Sequence, residues 1–423
     1  MPMSEFSIAA NRGCDITRCG GIPACSLVPV VADCGAMDDM DDIDGQSDLP
    51  DQTLELRSTL TADGIVTLAV GPAAVPPPGD DQVIVRVEAA PVNPSDLGMM
   101  FAAGDVSAAL PGGDGIHPAV AVPVTESVVA AQSARVGTPM PTGNEGGGVV
   151  IAAGSSPDAQ ALLGRTVGFV SGNAYARYRT LPVSQCLAMP EGTDPVDAAA
   201  AFVNPLTALG MVETMRAEGH TALVHTVGAS NLGLMLNRIC LDDGVALVNI
   251  VRKPAHVELL RSAGAQHVVD SSAATFVDDL TDALRSTGAT IAFDAIGGGD
   301  LASVLLSRME KVAGEQAGAF SRYGSDTHKQ VYVYGGLDRG PTVLRRDFGM
   351  SWSIGGWLLT PFLARIGPDA ADRLRQRVAN EITTTFKSTY GMRLSLAGAV
   401  DPEHVKRYAR MATGDKALIT PGV

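Results

Sequence analysis

From Leu54 onward, short apolar runs are separated by glycine and proline turns. LELRSTL (54–60), IVTLAV (65–70) and QVIVRVEAA (82–90) alternate or run apolar as β-strands do. Gly147–Ala153, Thr166–Val170 and Tyr175–Leu181 continue the series, so residues 51–193 read as a β-rich block. Between Asp105 and Pro141 lies a Gly/Pro/Ala-rich insertion, too long for a simple turn and of the kind that forms lids or binding loops. From about Asp194 the rhythm changes. Helical segments at Pro195–Phe202, Pro205–Arg216, Leu232–Leu241, His256–Ala263 and Ala274–Ser286 alternate with short strands. The strands are Ala222–Thr226, Val245–Val251, His267–Val269, Thr290–Ile296 and Gln330–Tyr334. Such alternation predicts right-handed crossovers and a parallel sheet over residues 194–366. In residues 367–423, a helix at Pro368–Phe386, a strand-like run at Arg393–Val400, a helix at Pro402–Ala412 and a strand at Ala417–Ile419 most simply rejoin the first block.

Chemistry enters at ALVHTVGASNLG (222–233). A buried strand that ends in a glycine turn before a helix leaves backbone N–H groups free at the helix N-terminus. Those groups and the helix dipole suit a phosphate or pyrophosphate. Gly228, Ser230 and Gly233 occupy the three glycine positions of a G-x-G-x-x-G fingerprint, with Asn231 between them at the helix start. After the next strand come Arg252 and Lys253, where an acidic residue would favour a ribose 2′-hydroxyl and a basic one a 2′-phosphate. The pattern points to NADPH as cofactor; ordinary solvated charges are the alternative for the two cations.

Composition narrows the picture. With 423 residues, 46% of them hydrophobic, the chain suits two or three domains at roughly 100–200 residues each. The net charge of −15 disfavours nucleic acid and anionic membranes as partners, which need basic patches. No apolar run reaches the roughly 18 residues of a membrane span, and no secretory signal is read, so a cytoplasmic protein is expected. Residues 1–50 lack a period, end in an acidic run and read as a flexible extension. Their cysteines (Cys14, Cys19, Cys25 and Cys34) show no C-x-x-C spacing and no accompanying histidine, so a poorly structured leader is expected over a zinc module. Met37 or Met40 is an alternative start.

The order of these blocks, with AAPVNPSD (89–96), GNEGGG (143–148), NPLTA (204–208) and YGG (334–336), resembles the medium-chain dehydrogenase/reductase superfamily over residues 52 to 423. The resemblance implies an α/β protein with a GroES-like β-rich catalytic domain and a Rossmann doubly wound parallel-sheet cofactor domain. Within the superfamily it is similar to the zinc-lacking quinone oxidoreductase and enoyl-thioester reductase branch. Zinc relatives hold metal with a cysteine and a histidine at the positions of Asn93 and Asn144 here, and neutral amides are poor zinc ligands. A metal-free site is therefore expected.

The resemblance implies further roles. Asn93, Ser95 and Asn144 would supply hydrogen bonds where metal ligands sit in relatives, and one of them would polarise a substrate carbonyl. Thr207, Tyr334 and Gly335 would border the nicotinamide, and Gly297 would approach the ribose. The tyrosine that enoyl-thioester reductases carry shortly after N-P-S-D is missing from Leu97–Leu110. If a protein group donates a proton, Tyr323, His328 and Tyr175 are the candidates. Phe348–Leu363 would line an acyl pocket, a dimer interface or the core. The expected function is NADPH-dependent hydride transfer to a small-molecule substrate, a quinone or an α,β-unsaturated carbonyl. A 2-enoyl-CoA reductase and a non-catalytic NADPH-binding or redox-sensor protein are the alternatives. A homodimer is implied by resemblance.

Overall fold

Alternation along the first strands sets an inner face. Leu56, Ser58 and Leu60 of Gln52–Leu60 are buried, as are Val66, Leu68 and Val70 of its antiparallel partner Ile65–Ala74. The computed structural model describes residues 49–113, 117–318 and 321–423. The early cysteines and both alternative starts lie outside the described residues. Gln52–Leu60 and Ile65–Ala74 are the middle of a five-stranded sheet, and Gln82–Pro91 crosses a seven-stranded one. In the second sheet Gln82–Pro91 pairs with Glu145–Ala153, Tyr178–Pro182 and the C-terminal Ala417–Ile419. One apolar core joins these sheets, with Leu56, Phe169, Tyr175 and Ile419 among its members.

The α/β half holds a six-stranded sheet. Its order is His267–Asp270, Ala246–Val251, Ala222–His225, Ile291–Asp294, Lys329–Val333 and Trp352–Gly356, all parallel. Numbered within the sheet, this is the 3-2-1-4-5-6 order of a Rossmann fold. The chain reverses direction of travel between Ala222–His225 and Ile291–Asp294, and a ligand crevice opens at such a point. Side chains of the central strand alternate between faces. Ala222 and Val224 pack with the helices Phe276–Thr287 and Leu301–Ala317. Leu223 packs with Val203–Ala217 and Asn231–Asp242.

Several expectations are corrected. The 105–141 insertion is not a simple loop: Leu110–Gly113 and Pro118–Pro123 extend the five-stranded sheet, with Val120 and Val122 fully buried. Its small-residue composition masked an alternating AVAV run. Pro195–Phe202 is helical only over Pro195–Ala198, and a new helix starts at Val203. The 368–386 helix ends at Asn380, and the 393–400 strand is reduced to Met392–Leu394. The strand expected at Tyr175–Leu181 is Tyr178–Pro182. Leu301–Ala317, unassigned by periodicity, is a helix. Within 348–363, Trp352–Gly356 is the sixth sheet strand and Phe348, Trp357 and Phe362 are core, so the core reading holds for these residues.

The returning C-terminal segment is fastened along the Asn231–Asp242 helix. Arg377 donates to both oxygens of Asp243 (3.0 and 2.8 Å), Arg238 donates to the Thr385 carbonyl (2.8 Å), and Asn231 Nδ2 donates to Ser388 Oγ (3.1 Å). The chain then enters the β-rich half at Met392–Leu394 and closes with Ala417–Ile419.

Candidate active site

A buried polar cluster forms where Gln82–Pro91 ends. Asn93 precedes the helix Pro94–Phe101, and its backbone N–H donates to Asp96 Oδ2 (2.8 Å), closing the first turn. The other Asp96 oxygen accepts from the Asn144 backbone N–H (2.8 Å). Asp96 thereby ties together the two segments that carry the amide side chains. Asn93 Nδ2 donates to Glu145 Oε1 (2.8 Å), and Asn93 Oδ1 accepts from Lys416 Nζ (2.9 Å). Glu145 Oε2 accepts from the N–H groups of Phe202 and Val203 (both 2.9 Å), at the start of the Val203–Ala217 helix. A carboxylate there satisfies two unpaired donors and complements the helix dipole.

Burial dominates the titration of this cluster. It pushes the Asp96 carboxyl up to about 7, helped by the Glu145 charge and opposed by the N–H bonds of Asn93 and Asn144. It also raises Glu145, against the pull of Lys416, and lowers Lys416, against the pull of both carboxylates.

The amides differ in availability. Asn93 is fully buried with both ends of its amide engaged. Asn144 is half-buried, and its Nδ2 donates to the exposed Ser95 Oγ (2.9 Å), which leaves the Ser95 hydroxyl hydrogen free to donate. The Ser95–Asn144 pair is therefore the part of the cluster open to a substrate. Neither amide supplies the thiolate or imidazole of a zinc site. Among the described residues no three His, Cys, Asp or Glu side chains are grouped as metal ligands. The donor set does not fit zinc.

At the crevice, the turn after Ala222–His225 is tightly built. Val227 has φ +57°, and the Gly228 N–H donates to the Ile250 carbonyl (2.9 Å). Ser230 caps the following helix, with its Oγ accepting from the Gly233 N–H (3.0 Å). The N–H groups of Asn231 and Leu232, in the first helical turn, have no intrahelical acceptor. The Asn231 side chain is turned instead to Ser388. A Cβ on Gly233 would sit 2.2 Å from the Gly228 carbonyl oxygen, so this position tolerates no side chain without moving the turn. Arg252 and Lys253 follow the neighbouring strand, both exposed and without ion-pair partners among the described residues.

Three residues that the sequence reading did not single out organise the same edge. Thr226 Oγ1 donates to Asp294 Oδ1 (3.0 Å) and accepts from the Ala295 N–H (2.9 Å). Asp294 also accepts from the N–H groups of Ile296 (2.9 Å) and Gly297 (3.1 Å), and Gly297 takes φ +83°. His225 Nε2 lies 2.7 Å from the Tyr334 hydroxyl, with the rings stacked at 5.8 Å. Burial lowers the His225 pKa to about 3 and holds it neutral, and its Nδ1 is buried without a partner among the described residues. The short contact pairs His225 Nε2 with the Tyr334 hydroxyl, one donating and the other accepting. Thr207, on the Val203–Ala217 helix, donates to the Val203 carbonyl, and Gly335 packs against the Ala295 backbone.

The remaining candidates fall elsewhere. Tyr323 is 58% exposed beside Arg322, and His328 is exposed just before Lys329–Val333. Both precede that strand, at the sheet edge opposite the crevice, so the structure does not bring them to the other site residues. Tyr175 lies beside the buried polar cluster but is itself fully buried, with its hydroxyl donating to the Pro91 carbonyl (3.1 Å). Burial raises its pKa well above the ordinary phenol value.

The β-rich half, the 3-2-1-4-5-6 sheet and the C-terminal return are the arrangement that the resemblance to medium-chain dehydrogenase/reductases implies. Three solved structures share it. A Mesorhizobium loti protein designated an NADPH:quinone reductase is 24% identical, with 89% of this chain and 100% of that one covered at a TM-score of 0.64. A mycobacterial protein complexed with NADPH is 18% identical, with 87% and 100% covered at 0.62. The Etr1p complex with NADP and crotonyl-CoA is 16% identical, with 87% and 99% covered at 0.60. In sequence, the chain is similar to the synaptic vesicle membrane protein VAT-1 homolog of Rattus norvegicus, 28% identical over 254 residues, and of Homo sapiens, 29% over 252. These matches cover 58% of this chain and 55% and 56% of the relatives, so the chain spans about half the length of the curated relatives it matches. No protein-family profile matches the chain. No helix among the described residues is long and apolar enough to cross a membrane.

Proposed function

We propose that this protein is a zinc-independent, NADPH-dependent oxidoreductase that transfers hydride to a quinone or an α,β-unsaturated carbonyl. The observation that carries the reading is the pairing of two features. Arg252 and Lys253, without ion-pair partners among the described residues, stand where a cofactor's 2′-phosphate would lie, and an open Ser95–Asn144 pair stands where zinc relatives hold metal. The solved relatives named for NADPH quinone reduction and for NADP with crotonyl-CoA support both substrate classes.

When bound, the cofactor would supply the hydride. The chain would supply the rest. The helix N-terminus at Asn231–Leu232 would hold the pyrophosphate, and Arg252 with Lys253 the 2′-phosphate by charge-assisted hydrogen bonds. Thr207, Gly297, Tyr334 and Gly335 would border the nicotinamide riboside. Ser95, oriented by Asn144, would donate to the substrate carbonyl oxygen as negative charge develops there. A reduced quinone can take its proton from solvent, so this reading needs no dedicated acid. The 2-enoyl-CoA reading needs one, and Tyr323 and His328 are not placed to serve.

Stopped-flow oxidation of bound NADPH by a quinone series and a 2-enoyl-CoA series tests the proposal. Rapid oxidation by quinones is expected. Binding with no oxidation by either series would instead select the non-catalytic NADPH-binding reading. Ser95→Ala and Asn144→Ala should each lower kcat about tenfold to a hundredfold with little change in NADPH affinity; unaltered kcat in both would remove the pair from catalysis.

A cytoplasmic homodimer acting on a small molecule completes the reading. Trp352–Gly356 leaves one side of its strand unpaired at the sheet edge, where a second copy could add. Light scattering should give twice the chain mass of 43.6 kDa, and a monomer at micromolar concentration would refute the dimer.

A further inference from the structure

We infer that Lys416 is a positioning residue for the nicotinamide side of the site, acting through Asn93 and Glu145 on the first turn of the Val203–Ala217 helix. The inference rests on the oxidoreductase reading above. A continuous hydrogen-bonded chain carries it: Lys416 Nζ to Asn93 Oδ1 (2.9 Å), Asn93 Nδ2 to Glu145 Oε1 (2.8 Å), and Glu145 Oε2 from the Phe202 and Val203 N–H groups (2.9 Å each). Main-chain pairing fixes the first link. The Val92 N–H donates to the Ala417 carbonyl (2.9 Å), which sets Asn93 and Lys416 side by side.

Each link has one orientation. An ammonium can only donate, so the Asn93 oxygen must face Lys416 and its NH2 must face the carboxylate. Without the ammonium, the amide loses the partner that keeps it from turning over. Glu145 loses the cation that compensates its buried charge, and a buried carboxylate without a cation takes up a proton. A protonated Glu145 accepts less strongly from Phe202 and Val203, and the helix turn below them bears Asn204 and Thr207. One positive charge thus holds a neutral amide in the place where zinc relatives carry a metal ligand, and relays its effect to the cofactor side.

The other titratable groups facing Glu145 and its neighbours are Asp96, Tyr175, Asp197 and Tyr390, each from a different segment. They are present in every variant below, so differences between variants report Lys416.

The test compares Lys416→Met, Lys416→Arg, Glu145→Gln and the Lys416→Met/Glu145→Gln double variant. Lys416→Met should lower kcat at least about tenfold while the NADPH Kd moves less than about threefold, because the phosphate contacts are elsewhere. Its acid limb of kcat against pH should move upward, as Glu145 titrates without its cation. Lys416→Arg should recover most of kcat and the wild-type pH limb. The double variant should be less impaired than the product of the singles. Wild-type kcat and pH limb in Lys416→Met would overturn the inference. Equal loss in Lys416→Met and Lys416→Arg would overturn it as well, by showing that packing alone matters at this position. If Lys416→Met does not fold, Lys416→Gln and Lys416→Arg give the same comparison of charge against length. Should wild-type protein turn over neither substrate series, the proposed activity fails by itself. The pH dependence of the Asn93 side-chain amide resonances then still reads the chain: a wild-type shift that is kept in Lys416→Arg and displaced in Lys416→Gln supports the linkage, and identical titrations in wild type and Lys416→Gln refute it.

Discussion

Gly233→Val should weaken NADPH binding at least about a hundredfold, on the order of 3 kcal/mol. The added Cβ would lie 2.2 Å from the Gly228 carbonyl oxygen and 2.6 Å from its carbon, with only backbone to give way. Gly228 cannot retreat, since a Cβ there would already meet Asn249 Oδ1 at 2.8 Å. The turn must therefore open, and the N–H groups of Asn231 and Leu232 move with it. Some stability is lost too, roughly 1–3 kcal/mol as in other overpacked sites. Calorimetric titration with NADPH beside a thermal melt separates the two effects. A folded Gly233→Val protein that binds NADPH with wild-type affinity would rule out this turn as the pyrophosphate site.

The Arg252→Ala/Lys253→Ala double variant should raise the KM for NADPH roughly 30-fold and leave that for NADH within about twofold. Both cations are exposed and have no acidic partner among the described residues, so removing them breaks no ion pair of the protein itself. Their effect is confined to a ligand that brings the opposite charge. Because the site is exposed, added salt should erode the wild-type preference for NADPH and hardly affect the variant. An unchanged ratio of the two Michaelis constants would return both residues to ordinary surface charge.

Much of the fold could be read along the chain. The strands Ile65–Ala74, Gln82–Pro91, Thr166–Val170 and Ala417–Ile419 follow directly from apolar period and turn residues. The fingerprint turn and its helix fall within a residue of the expected start. Failures share a cause. Leu110–Gly113 and Pro118–Pro123 are strands made of small residues and prolines, and the helix Leu301–Ala317 carries a wide mixed surface. In each, tertiary neighbours supply what weak local preference does not. The stretch 348–363, whose residues are large and apolar, left pocket lining, dimer interface and core open from sequence. The sixth strand and the core below it account for them.

The candidate site divides in the same way. Asn93, Asn144, Gly228, Gly233, Arg252 and Lys253 could be named from motifs, because those positions depend on local backbone geometry and residue type. That Asn93 is sealed while Ser95 and Asn144 remain open was not visible, since burial depends on segments far away in sequence. The sequence by itself determined most of the strands, the glycine turn, the basic pair and the absence of thiolate and imidazole at the two amide positions. Only the tertiary structure decided the partners. His225 meets Tyr334 across 109 residues, and Lys416 meets Asn93 across 323. Neither contact has a local period or motif, because it arises between segments brought together only when the sheets assemble.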